Sequence, residues 1–71
     1  MRLIILETST GTVELINANH IVSIIEDASG IVVTMSNNHQ IRTRFNDIEG
    51  AADYIERAKY TRESLRHYNE Q

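Results

Sequence analysis

Apolar and polar positions alternate at strand spacing over the first 45 residues and then change to helical spacing. The opening run "RLIILE" is continuously apolar between two charges, which predicts a strand covered on both faces, and "TSTGT" behind it predicts a turn. "TVELI" alternates, with Val13 and Leu15 on one face and Glu14 on the other, and is expected to pair with the first strand as a hairpin across Gly11. Asn17, Ala18 and Asn19 break the pattern. "HIVSIIE" then starts a third strand in which Val22 and Ile24 oppose Ile21 and Ile25, again apolar on both faces.

"DASG" predicts a turn in which Gly30 adopts positive φ without steric cost. "IVVTMS" places Ile31, Val33 and Met35 on one face and Val32, Thr34 and Ser36 on the other. Asn37 and Asn38 predict a second tight turn, since asparagine tolerates left-handed backbone. "HQIRTRF" follows, with Ile41, Thr43 and Phe45 inward and Gln40, Arg42 and Arg44 outward.

The change to helix comes after Phe45. Asn46 is placed to cap, Glu49 stands three residues on, and Asp47, Glu49 and Asp53 put negative charge where the helix dipole favours it. Ile48, Ala51, Ala52, Ile55 and Ala58 form a narrow apolar stripe. No proline interrupts the chain, so the pattern predicts a helix over 47–68, roughly 33 Å long. Its second half would overhang the sheet, carrying Leu65 and Tyr68 beside Lys59, Arg62 and Arg66. The expected fold is α+β in a single domain, 1–71: a small antiparallel sheet of about five strands, then one long C-terminal helix.

Length and composition sharpen this. A 71-residue chain buries only about 60% of its unfolded surface, so self-association is expected to supply part of the stability. There is no cysteine, and His20, His39 and His67 lack the short spacing of metal ligands, so neither metal nor other cofactor is expected. The apolar run before Glu7 is too short for a signal peptide or a membrane span, and a cytoplasmic protein without membrane insertion is expected. A net charge of -3 argues against a generic nucleic-acid binder, although most basic residues fall late in the chain.

No Gly-rich phosphate loop or nucleophile elbow is present, and Glu26 and Asp27 are neighbours on an extended strand, pointing to opposite faces. Catalysis is therefore not expected. The apolar surplus is the stronger signal, because two strands are apolar on both faces while one helix covers one side of a sheet. It predicts an interface of Ile4, Leu6, Ile24 and Ile25, joined by Leu65 and Tyr68, with Arg42 and Arg44 at its rim; the chain is expected to act as a homo-oligomer that meets another protein.

Two other readings remain open. Arg42, Arg44, Lys59, Arg62 and Arg66 could hold a nucleic acid or anionic ligand, against the plainer reading that the helix cations pair with Glu56 and Glu63. A small acidic chain is also compatible with a phage-encoded inhibitor of a host protein.

The arrangement "GTVELINANHIVSIIE" followed by "GIVVTMSNNHQIRTRFNDIEGAADYIERA" resembles the FlbD-type family of short flagellar and swarming-motility proteins. Gly11, Asn17, Ala18, Ile21, Ile25, Thr34 and Asn38 fit that family's strand and turn positions, while His39 stands where the turn glycine is expected. The resemblance covers residues 10–58 and implies a small flagellar or swarming-motility protein; taken with the residues themselves, the expectation is a non-enzymatic regulatory or interaction module in a bacterial or phage setting.

Overall fold

The computed structural model describes residues 1–58, and within them the chain forms five strands and one helix. The first hairpin joins β1 (Leu3–Glu7) to β2 (Val13–Asn17), with Leu3 opposite Asn17 and Glu7 opposite Val13. Gly11 turns between them at φ 91°. Thr8 organises this turn, its Oγ1 lying 2.6 Å from the Thr12 hydroxyl and accepting from the Thr12 N–H. A single 3₁₀ turn, Ala18–His20, capped by the Asn17 side chain, then swings the chain into β3 (Ile21–Asp27).

β3, β4 (Gly30–Met35) and β5 (Gln40–Arg42) form an antiparallel meander in the spatial order β3-β4-β5. The β3–β4 turn relies on Gly30 at φ 134°, a conformation that side chains disfavour. Asn38 takes the left-handed position between β4 and β5, at φ 69°. Instead of one continuous sheet there are two, of two and three strands, meeting where Thr8 bridges Thr43. The Ser9 N–H donates to the Arg42 carbonyl and the Arg44 N–H to the Glu7 carbonyl, so the end of β1 runs antiparallel to the chain leaving β5.

The core lies between the two sheets, where Ile4 and Leu6 of β1, Ile16 of β2, Val33 and Met35 of β4 and Ile41 of β5 pack with Ile55 of the helix. β1 is buried on both faces, as its continuous apolar run requires, with Ile5 covered as well as Ile4 and Leu6. In β2 Ile16 takes the core position and leaves Val13 and Leu15 exposed. In the last strand Ile41 and Thr43 are buried and Arg42 and Arg44 exposed, as the alternation predicts.

The helix α1 spans Ile48–Arg57 and differs at both ends from the expected 47–68. Asp47, one residue after Asn46, is its cap, accepting from the Gly50 N–H at 2.6 Å. A Cβ on residue 50 would stand 3.0 Å from that carboxylate oxygen, so glycine there leaves the cap room. At the other end Ala58 turns extended, with ψ 144°, while the Arg2 guanidinium donates to the carbonyls of Ile55, Glu56 and Ala58. These are the orphan carbonyls that end every helix, and here a cation from the start of the chain satisfies them. Only Ala51 and Ile55 of the apolar stripe are buried; Ile48 and Ala52 are exposed.

Candidate interaction surface

Of the interface residues expected from sequence, Ile4 and Leu6 are fully buried in the chain's own core and offer no surface to a second molecule. The first hairpin and the meander close over them from opposite sides, an enclosure that strand pattern alone cannot distinguish from a covered interface. Ile24 is half-buried against the core cluster, and Ile25 is 47% exposed on the opposite face of β3. Leu65 and Tyr68 lie outside the described residues, as do Lys59, Arg62 and Arg66.

The two strand arginines are ion-paired. Arg42 reaches diagonally over β4 to Asp27, its Nη1 and Nη2 donating to the two carboxylate oxygens at 3.1 and 3.2 Å, with a further 2.7 Å contact to the Ser29 hydroxyl. Asp27 also accepts from the Ser29 N–H at 2.9 Å. The hydrogen bonds from Arg42, then those from Ser29, hold the Asp27 carboxyl well below the usual carboxylate range, and the same contact raises Arg42. Asp27 is therefore an ionised acceptor saturated by donors, a poor proton-transfer group. Arg44 pairs with Glu7 at 3.0 Å and lies over Gly11. Both outward arginines thus carry locally compensated charge.

His20 and His39 line one open groove of about 410 Å³, between the outer side of β2 and the β4–β5 turn, with Met35 also in its lining. His39 Nε2 lies 3.2 Å from Glu14 Oε1, and His20 Nδ1 lies 3.2 Å from the Ser36 hydroxyl. Each imidazole therefore has an ordinary surface partner, and among the described residues no group of three potential ligands could hold a metal ion. No helix among the described residues is long and apolar enough to cross a membrane.

What most resembles a binding surface is apolar. Val22 is 64% exposed and Ile25 47%, both on β3, the outermost strand of its sheet. Among the described residues, Val13 and Leu15 of β2, Ile48 of α1 and the terminal Met1 are the other large apolar side chains exposed. β3 and its flanks carry no lysine or proline, although Glu26, Asp27 and the irregularity between Ile21 and Ser23 are features that blunt an exposed strand edge. The signal for this surface was the two-sided apolarity of "HIVSIIE"; the exposure of Val13 and Leu15 was hidden by the ambiguity between their phase and that of Ile16. No family model, curated protein or solved structure matches the chain.

Proposed function

We propose that this protein is a non-enzymatic interaction module that works as a homo-oligomer and presents a surface to another protein in a bacterial or phage regulatory setting. The observation that carries the reading is the exposed pair Val22 and Ile25 on an edge strand. Self-association would remove both from water and would supplement the modest core of a chain this short. The regulatory setting rests on the FlbD-type resemblance alone.

The alternative is nucleic-acid or anion binding through Arg42, Arg44, Lys59, Arg62 and Arg66; Arg42 and Arg44 would first have to leave their carboxylate partners, and the other three cations lie outside the described residues. Inhibition of a host protein has no feature among the described residues in its favour.

Light scattering over a concentration series tests the proposal. A mass rising above the 8.1 kDa of one chain is expected, and a monomer at every concentration refutes the reading. Ile25→Asp should lower the mass while leaving the far-UV circular dichroism intact, because the side chain is half-exposed in the single chain.

A further inference from the structure

The hydrogen bonds of the meander decide which way each backbone group of β3 points. The Thr43 N–H donates to the Ile31 carbonyl and the Met35 N–H to the His39 carbonyl, so the odd-numbered residues of β4 bond towards β5. The even-numbered ones, Val32 and Thr34, must bond towards β3, where they stand opposite Ile25 and Ser23. The backbone groups of Ile24 and Glu26 therefore point away from the sheet. Among the described residues no strand pairs on that side, and no hydrogen bond from outside the hairpin reaches them. The helix contacts β3, and Ile21 and Ile24 of β3 pack against the core cluster that contains Ile55.

The regular part of β3 is Ser23–Asp27, because the ladder is irregular between Ile21 and Ser23. We infer that this segment pairs antiparallel with the same segment of a second copy, about a two-fold axis at Ile25, making one continuous sheet of two meanders. The inference rests on the reading of the chain as a self-associating module and names the surface that does it.

Charge selects this register. Centred on Ile25, the pairing sets Ile25 against Ile25 of the second copy, Ser23 against Asp27, and Ile24 against Glu26. Each carboxylate then faces a hydroxyl or an apolar side chain, and the four acids of the two strands stand at opposite ends. Centred on Glu26 or Asp27, the pairing would oppose like charges directly, which destabilises cross-strand pairs. Centred on Ile24, it would draw the irregular stretch at Val22 into the ladder. In the favoured register Ile24 and Glu26 exchange about four backbone hydrogen bonds with the second copy, and the two Ile25 side chains meet at a close, non-hydrogen-bonded position. The outer edge of β2 is the less suitable strand, since it faces the groove spanned by the His39–Glu14 contact, which an added strand would displace.

The absence of cysteine makes the test direct. Ile25→Cys places two thiols about 4.5 Å apart by Cα across the axis, within disulfide reach. Leu15→Cys is the control, being equally exposed at 46% against 47% but on β2. Under mild oxidation of the full chain at micromolar concentration, Ile25→Cys should cross-link on the order of 10² faster than Leu15→Cys, as a pre-aligned pair does over a chance encounter. Equal rates, or a faster Leu15→Cys, overturn the proposal.

Glu26→Pro provides the second arm. It removes an outward N–H while leaving the bonds to β4, a place where a strand tolerates proline. It should return the oligomer to monomer with unchanged circular dichroism. An oligomer that survives Glu26→Pro, with slow Ile25→Cys cross-linking, would put assembly elsewhere, including on residues 59–71 if their removal dissociates it; that outcome overturns the β3 pairing but keeps the self-associating module. A wild-type chain that is monomeric throughout refutes both.

Discussion

Removing the Arg2 side chain should cost far more than an ordinary surface substitution. Its Nη1 stands 2.6 Å from the Ile55 carbonyl oxygen and 3.3 Å from those of Glu56 and Ala58. One nitrogen carries two protons, so the short contact dominates and the two longer ones share what remains. A hydrogen bond to a charged group contributes about 1.5–3 kcal/mol, and a cation at a helix C-terminus about 0.3–1 kcal/mol, an overlapping rather than additive quantity. Arg2→Ala should therefore destabilise the fold by about 2 kcal/mol, since a ten-residue helix is too short to persist without tertiary support. At ~4–8 °C per kcal/mol for a domain of this size, Tm should fall by about 8–16 °C. Arg2→Lys keeps the charge but not the fork and should recover less than half of the loss. The backbone bonds of residue 2, from its N–H to Asn17 Oδ1 and from the Ala18 N–H to its carbonyl, survive both changes, so the loss reports on the guanidinium. Thermal unfolding by circular dichroism at one fixed protein concentration measures it, because self-association would otherwise shift Tm. If both variants unfold within about 0.5 kcal/mol of the parent, the helix end does not depend on this cation.

Three further substitutions or titrations probe other parts of the fold. Tyr54→Phe deletes the 2.6 Å hydrogen bond from its hydroxyl to the Ile5 carbonyl but keeps the ring against Phe45; denaturant unfolding should show a loss of about 1 kcal/mol, and no loss would mean that water replaces the bond. Asp47→Ala should cost about 0.5–2 kcal/mol by uncapping α1, whereas Asn46→Ala should be near neutral; the reverse order would restore Asn46 as the cap. The Asp27 carboxyl has its folded pKa depressed relative to an unfolded value of about 3.9, so its contribution is present above that value and is lost as pH falls through the folded midpoint. Carbon NMR should place that midpoint below the usual carboxylate range in the parent and return it towards that range in Arg42→Ala; a normal midpoint in the parent would dissolve the Arg42–Asp27 assignment.

Much of the fold was written in local pattern. The switch from two-residue to helical spacing after Phe45, the positive-φ demands at Gly30 and Asn38, and the inward Ile41 and Thr43 each depend on a few neighbouring residues, and each is realised in the structure. The same local rules place Arg42 and Arg44 outward, but not their partners. Asp27 and Glu7 are distant in sequence, and only the meander and the junction of the two sheets bring them within reach. That Glu14 meets His39 in the groove was illegible for the same reason.

Sequence by itself therefore determined the strand and helix order, the turns and which side chains alternate together, because these follow from backbone sterics and side-chain period. Tertiary structure decided which apolar face is core and which is surface. "RLIILE" and "HIVSIIE" read alike, yet β1 is enclosed by β2, the meander and α1, while β3 is left at the rim with Val22 and Ile25 exposed. It also decided where the helix stops: the residues after Arg57 retain helix-compatible types, but the Arg2 guanidinium from the other end of the chain binds the last carbonyls as Ala58 turns extended. Burial and long-range hydrogen bonding are properties of the assembled chain, and a periodicity computed along one dimension contains neither.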